Sequence, residues 1–454
     1  MIIVSESAAA LKGFLAHSGL GNLGQTMVLR MALAFMLHRG RMSCSQAAGS
    51  VASDTVHRGE LTRFIARPRW KKHDFNGPLR NALLKRESKR GKFIFLVDAT
   101  LVSQAGRKTE NTYSTGNRGR RQAKGRRHQK KKIVYKKCHS FTFGLLLTPS
   151  GLRIPMQIPH YTLEYCEQHQ LEHRTTAAAA ADLIRSLPLP PGAEVVVIGD
   201  TAYDAHVVRK ACEEKRYTWI FPANSERVYE GPQGQRPKLR SRLKDWTSLS
   251  HPAIRLHAST GEYAVYRRLS KWRMGPKQKP RVYYAHQEKS AVRSVGCVKL
   301  IFSTMKPNLT VATPDDVKIL MTNATHLSSR EVIELYSLRW QIELFFKELK
   351  STLGFSQYSL QRFEAVKAWV EIAIATVLFL EHERAKRLQD RRLSAERRRW
   401  WTAQRLHGLC AAFQQECTGS ELKYMSTRLK TSGGIAKLKR QLANALPPEF
   451  RTAA

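Results

Sequence analysis

Acidic residues are scarce in this chain of 454 residues: 36 Asp and Glu face 77 Lys and Arg, which gives a formal net charge of +41. Solubility needs far less charge, and a chain this basic repels itself unless it binds a polyanion. Nucleic acid is the commonest polyanionic partner, so the composition predicts a nucleic-acid-binding protein. Its affinity should fall steeply with salt, because bound cations displace the counterions of the phosphates.

Long apolar runs are also missing. The best one, AWVEIAIATVLFLE at 368–381, contains Glu371 and is shorter than the roughly 20 residues that span a bilayer. No basic and apolar leader with a small-residue cleavage site opens the chain. We therefore expect a cytoplasmic protein that has no membrane partner and associates with the nucleoid through DNA.

The seven cysteines form no CxxC pair and no Cys/His cluster at zinc spacing. Cys138 is next to His139, but neighbours on a strand point to opposite faces and so make a poor metal pair. We expect reduced structural thiols.

Changes in the pattern of apolar and polar residues along the chain predict a mixed α/β fold. GKFIFLVDAT at 91–100 and AEVVVIGDT at 193–201 read as buried strands, and TTAAAAADLIRSL between them reads as a helix. Short alternating runs between 215 and 320 are typical of an antiparallel β unit. The sequence thus predicts a helical N-terminal DNA-binding region (1–90), a catalytic core in two parts (91–214 and 321–380), an inserted β-rich domain (215–320) and a basic helical C-terminal region (381–454).

Two segments of this plan are candidates for direct DNA contact. Two short capped helices before Pro68 fit a helix-turn-helix-like module, and a plain helical bundle is the alternative. Residues 106–137 contain thirteen Lys or Arg and one acid, Glu110. This basic loop (107–137) either clamps DNA or is a solvated segment. The DNA contacts predicted within it are Arg120, Arg121, Arg126 and Arg127.

Two acids stand where an apolar strand gives way to polar residues. Asp98 ends FLVD and Asp200 ends VVIGD. An unpaired buried charge costs several kcal/mol, so each carboxylate either caps the next turn or gathers with others around a cation.

A third acid lies in ELYSLRWQIELFFKELKS at 334–351, which reads as one helix. At 100° per residue, Tyr336, Arg339, Glu343 and Lys350 fall within a roughly 60° arc of that helix. Any surface helix shows a polar stripe, but three carboxylates from two strands and a helix could bind Mg²⁺, which prefers oxygen ligands. Two such ions activate one oxygen and stabilise the leaving one in phosphodiester transfer.

Asp98, DTAY at 200–203 and the Y-x2-R-x3-E-x6-K pattern at 336–350 resemble the bacterial IS4-family transposases. The resemblance covers about 91–380. It implies a ribonuclease H-like mixed-sheet core interrupted by a β-rich insertion and flanked by helical regions. It also implies a metal-binding and catalytic triad of Asp98, Asp200 and Glu343, with two Mg²⁺ ions for which Mn²⁺ can substitute. Tyr336, Arg339 and Lys350 would then bind the DNA.

The implied activity is cut-and-paste movement of an insertion sequence. The enzyme binds terminal inverted repeats, cleaves the ends through hairpins and joins them to target DNA, with a homodimer in the synaptic complex. A Trp of the insertion holds a flipped base in related enzymes, and Trp219, Trp246 and Trp272 are the candidates in this chain. A non-catalytic DNA-binding relic and a nuclease that cuts without joining are the two alternatives.

Other polar residues are weaker candidates. Asp204 and Glu348 compete as metal ligands, although Glu348 lies about 140° away from Glu343 on an ideal helix. His139 and His206 are expected to be bystanders, because metal-assisted phosphoryl transfer needs no imidazole base.

Overall fold

The structure is a computed structural model that describes residues 6–38, 42–49, 58–68, 70, 74–87, 91–104, 106, 108–116, 135–231, 234–244, 246–257, 263 and 280–436. Its strands form one ten-stranded sheet, and helices lie before, between and after them. The predicted mixed α/β class is confirmed in this coarse sense.

One half of the sheet has the order β4-β3-β1-β5-β6, and β2 also pairs with β3. These strands are β1 (Phe93–Gln104), β2 (Tyr113–Gly116), β3 (Tyr135–Leu147), β4 (Arg153–Pro159), β5 (Val195–Ile198) and β6 (Thr218–Pro222). β1, β5 and β6 run parallel to one another, whereas β3 is antiparallel to both β1 and β4. β1 and β5 read as continuous apolar runs because both of their faces are buried. This arrangement is consistent with the ribonuclease H-like core that the resemblance implies.

The other half of the sheet continues from β6 in the order β10-β9-β8-β7, with antiparallel pairing throughout. These strands are β7 (Ala253–Leu256), β8 (Arg281–Val292), β9 (Gly296–Thr304) and β10 (Lys318–Thr322). The region 215–320 is thus rich in strands, but its described strands extend the core sheet. β6, which lies within that range, pairs in parallel with β5. The domain boundaries stay a prediction.

The helices fall into three groups along the chain. Before the sheet come α1 (Glu6–Leu15), α2 (Asn22–Leu37), α3 (Cys44–Gly49), α4 (Arg58–Ala66) and α5 (Asn76–Leu84). Among the strands lie α6 (Leu163–His169), α7 (Thr176–Arg185) and α8 (His206–Glu214). After β10 follow α9 (Ser329–Ser337), α10 (Trp340–Thr352), α11 (Phe363–Gln389), α12 (Ala395–Ala403) and α13 (Leu406–Arg428). Within the described ranges, no helix combines the length and the apolar character needed to cross a membrane.

The long helix α11 joins the N-terminal helices to the sheet. Phe35 of α2 meets Trp369 edge to face, with ring centroids 4.9 Å apart, and Phe14 of α1 meets Phe379 at 6.0 Å. The indole N–H of Trp70 donates to the Glu371 carboxylate, and the Asn76 amide donates to the Glu371 carbonyl oxygen over 3.0 Å. The N-terminal helices are therefore part of one continuous core with α11.

Glu371 makes the stability of this contact depend on pH. Burial raises its pKa to about 7, so the folded state binds the proton more tightly than the unfolded chain. The contribution of Glu371 to stability is complete below the pKa that Glu371 has in the unfolded chain, and it is lost as the pH rises through about 7. Between pH 5 and pH 8, the free energy of unfolding should fall by about 2 kcal/mol more in the wild type than in Glu371→Gln. Urea unfolding of both proteins at the two pH values measures this difference, and parallel changes in the two would contradict the prediction.

Candidate active site

The strand register places the first two acids side by side. β1 and β5 are parallel, and Leu96 pairs with Ile198. Asp98 and Asp200 each follow that pair by two residues. β1 continues along β3 to Gln104, whereas β5 ends at Ile198, so the chain leaves the sheet beside Asp98. A crevice where neighbouring strands diverge is the usual place for a site in an open α/β sheet.

Asp98 is partly withdrawn from water, with 18 % of its side chain exposed. Its Oδ1 accepts a hydrogen bond from the backbone N–H of Ala99 over 2.8 Å. Burial raises its pKa to about 6, and the negative charges of Asp200 and Glu343 act in the same direction. The charges of the other two predicted triad members therefore both act on the Asp98 carboxylate.

Asp200 begins a one-turn 3₁₀ helix, Thr201–Tyr203. Its Oδ1 accepts from the backbone N–H of Ala202 over 2.8 Å, so this Asp caps the next turn while its carboxylate stays at the strand end. Tyr203 follows beneath it as a buried side chain. A Cβ on Gly199 would lie 3.0 Å from the Tyr203 Cβ, so a larger residue would force the tightly folded DTAY turn to shift.

The third acid, Glu343, lies in α10, which directly follows α9. Ser328 and Glu331 form the predicted capping box at the start of α9. The single helix predicted at 334–351 is wrong, since α9 ends at Ser337 and α10 begins at Trp340. At the junction, N–H groups bond to carbonyls three residues back, as in Arg339 to Tyr336 at 3.0 Å. This tightened turn shifts the relative directions of side chains before and after it, which an ideal 100° spacing cannot represent.

Arg339 lies at that junction and contacts two of the acids. Its Nη1 lies 3.7 Å from Asp98 Oδ2, and its Nη2 donates to Glu343 Oε1. Its guanidinium is 20 % exposed. The arginine therefore draws the strand carboxylate and the helix carboxylate to one point.

Tyr336 and Lys318 contact each other beside this cluster. The ammonium of Lys318 lies 5.0 Å from the centre of the Tyr336 ring, within cation–π range. Burial raises the pKa of Tyr336 to about 12. Burial and the Arg339 charge lower the pKa of Lys318, and the charges of Asp200 and Glu343 oppose them.

Sequence reasoning missed Lys318. β10 is antiparallel to β6, so its first residue lies at the same end of the sheet as the ends of β5 and β6. The signal that could have found it is a lysine opening the apolar run KILMT.

Lys350 extends the site along β1. Its ammonium donates to the Leu101 carbonyl oxygen over 2.9 Å, three residues beyond Asp98. Burial lowers its pKa.

A cavity of about 470 Å³ adjoins the site on the β10 side. Tyr336, Arg339 and Lys318 line it together with Trp340, whose side chain is 48 % exposed. An exposed Trp beside a cluster of cations is unusual, because indole is normally buried. Trp340 was also missed from the sequence, although its position directly after Arg339 was a usable signal.

The weaker candidates from the sequence have partners outside this cluster of acids. Asp204 is buried and lies 2.6 Å from Arg227, with Arg209 as a second partner. Glu348 points away from the site and pairs with Arg153 over 3.1 Å. His139 is buried between the Tyr358 hydroxyl and the Glu110 carbonyl oxygen, each at 2.9 Å.

The remaining candidates do not join the site. His206 is exposed at the start of α8. Trp219 and Trp246 are 1 % and 5 % exposed, so neither presents a ring face to a base. Trp272 and the loop arginines Arg120, Arg121, Arg126 and Arg127 lie outside the described residues.

The donor set fits a hard divalent cation in kind, because all three acids offer carboxylate oxygens. The geometry is not yet that of a metal centre: across the described ranges, no group of three or more His, Cys, Asp or Glu side chains could hold a metal ion. The guanidinium of Arg339 contacts oxygens of Asp98 and Glu343.

Comparison with known families bears on this cluster directly. Residues 166–380 match the model of the transposase DDE domain. The match contains Asp200, Glu343 and the Tyr336, Arg339 and Lys350 positions, whereas Asp98 precedes it. No curated protein matches the chain. The match, together with the mixed α/β sheet, supports a DDE transposase.

Proposed function

We propose that this protein is the transposase of a bacterial insertion sequence of the IS4 type, acting in the cytoplasm on double-stranded DNA. One observation supports the proposal: Asp98 and Asp200 follow the same paired position of two neighbouring parallel strands, and Arg339 pairs with both Asp98 and Glu343. Such a gathering of like charges is costly unless it serves a cation.

The three carboxylates are the proposed ligands of two Mg²⁺ ions, for which Mn²⁺ can substitute. When bound, such ions supply activation of the attacking oxygen and stabilisation of the leaving oxygen. Asp98 is fixed by the Ala99 N–H and Asp200 by the Ala202 N–H, so both carboxylates are held in place without a ligand. These two carboxylates would therefore need little reorganisation to bind an ion.

The cations around the acids are the proposed DNA contacts. Arg339 offers a planar fork for a phosphate, Lys350 a point charge farther along β1, and Lys318 a third cation at the mouth of the cavity. Tyr336 supplies a phenol that remains protonated at neutral pH. Trp340 offers an exposed ring on which a base displaced from the duplex can stack.

The proposed reaction proceeds by repeated exchange at phosphorus. Water attacks the phosphate at the element's end, the P–O3′ bond breaks, and a 3′-hydroxyl is released. That hydroxyl attacks a phosphate of the opposite strand, which forms a hairpin and releases the flanking DNA with a 3′-hydroxyl. Water then attacks the hairpin phosphate and frees the 3′-hydroxyl of the element again. Finally, this hydroxyl attacks a phosphate of the target DNA, and the 3′-oxygen of the target strand leaves. Since two ends must be joined together, the working complex contains at least two protomers, and a homodimer is the simplest form.

A single assay tests this function. The full chain is incubated with Mg²⁺, a labelled duplex carrying the terminal repeats that flank its gene, and a supercoiled plasmid. Denaturing gels should show nicks and hairpins at the repeat boundary, and label should enter the plasmid. Cleavage without plasmid joining would replace the transposase by a nuclease. Retarded but uncut DNA would replace it by a non-catalytic binding protein.

A further inference from the structure

Arg339 occupies a place that its role as a DNA contact does not require. Its two terminal nitrogens face different carboxylates, Asp98 at 3.7 Å and Glu343 in a hydrogen bond. Glu343 is 31 % and Asp98 18 % exposed, so both carboxylates are only partly solvated. Arg339 is therefore the counter-ion of Asp98 and Glu343.

A divalent cation cannot simply join this arrangement. It would bind the carboxylate oxygens at about 2.0–2.1 Å, and these are the oxygens that Arg339 faces. A guanidinium and a divalent cation a few ångströms apart also repel each other strongly in a partly buried site. In its present position, Arg339 therefore opposes metal binding to Asp98 and Glu343.

The surroundings of Arg339 disfavour its movement away from these acids until an anion arrives. On the cavity side, Arg339 would approach Lys318, and Arg281 lines the same cavity. Asp315 and Asp316 also line it, but Asp316 is engaged by Lys306 and by the hydroxyl of Thr313 at 2.6 Å. A DNA phosphate entering this cationic cavity would give Arg339 a bidentate partner away from the acids.

We propose that Arg339 couples the binding of DNA to the binding of metal: it holds Asp98 and Glu343 in the DNA-free protein, and a phosphate of bound DNA draws it away so that both carboxylates can take a divalent cation. The inference rests on the proposed function only in naming DNA as the anion. By linkage, the metal must strengthen DNA binding by the factor by which DNA strengthens metal binding. Such a device keeps the nuclease centre incomplete until its substrate is in place.

The test measures Mn²⁺ binding, not cleavage. Free Mn²⁺ is counted by electron paramagnetic resonance in titrations of the full chain without DNA. Arg339→Gln should bind Mn²⁺ on the order of tenfold more tightly than the wild type, within the usual range of coupling between sites. Arg339→Lys, whose ammonium cannot face two carboxylates with separate nitrogens, should show a smaller gain.

Arg330→Gln is the matched control, because it removes the same charge from an exposed position on α9. It should leave Mn²⁺ affinity unchanged. A gain equal to that of Arg339→Gln would reduce the effect to net charge and overturn the proposal.

A second titration adds a short duplex, with the Mn²⁺ bound by the duplex alone subtracted. Wild-type Mn²⁺ affinity should rise about tenfold, whereas Arg339→Gln should gain little because its acids are already released. Equal responses of the two proteins to DNA would overturn the coupling, even if the enzyme cleaves DNA. If DNA raises the Mn²⁺ affinity of a protein that does not cleave DNA, the coupling through Arg339 is supported and the proposed transposase function is contradicted.

Discussion

Glu343→Gln should lower the rate of end cleavage by on the order of 10³-fold or more. A bound divalent cation contributes several kcal/mol to the transition state of phosphoryl transfer, and each 1.4 kcal/mol is a factor of ten in rate. Asp98→Asn and Asp200→Asn should act alike, because all three changes keep the side chain's size while removing a negative charge from one cluster. Retardation of the duplex should persist, since none of these residues attracts phosphate.

Single-turnover cleavage of the labelled duplex, measured beside gel retardation, separates the two effects. Glu164→Gln is the matched control, because this glutamate is exposed on α6 and lies outside the acid cluster. It should cleave at the wild-type rate. Should any one triad variant retain the wild-type rate while binding DNA normally, that residue is not a metal ligand.

Arg153→Met should destabilise the folded protein by about 3–5 kcal/mol. Arg153 is 3 % exposed on β4 and donates to Glu348 of α10 over 3.1 Å and to Glu381 of α11 over 3.4 Å. Glu381 is fully buried and is also paired with Arg384. Removing Arg153 leaves two buried carboxylates short of their counter-charge, which costs far more than the pair contributes when intact.

Urea unfolding at neutral pH measures this cost. Arg174→Met provides the control, because the Arg174–Asp182 pair is 51 % and 37 % exposed and exposed pairs contribute at most about 1 kcal/mol. A change in Arg153→Met no larger than in the control would contradict the predicted role of the network. The same network orients α10, which contains both Glu348 and Glu343. We therefore also expect Arg153→Met to cleave DNA more slowly under conditions in which the protein is still folded.

Local patterns carried the prediction of the strands and of the acids. The apolar runs before Asp98 and Asp200 are long enough to be buried strands, and the capping box at Ser328 is a signal within four residues. The spacing of Tyr336, Arg339, Glu343 and Lys350 likewise needed no partner elsewhere in the chain. These features depend on chemistry between near neighbours, so the sequence reveals them.

The break between α9 and α10 shows where local reasoning stops. Periodicity fits one helix through 334–351, yet bonds to carbonyls three residues back replace the regular ladder around Arg339. The tightened turn coincides with the placement of Arg339 between Asp98 and Glu343. A long-range ion pair of this kind has no signature in the spacing of residues along one helix.

The sequence by itself determined the basic character of the chain, the α/β class and which acids stand at strand ends. Only the tertiary structure decided that β7 to β10 continue the core sheet, that Trp219 and Trp246 are buried, and that Lys318 and Trp340 belong beside the site. It also decided that Arg339 lies among the acids. The physical reason is the same in each case: burial and charge pairing depend on segments distant in the chain, whereas strand and cap signals depend on a few adjacent residues.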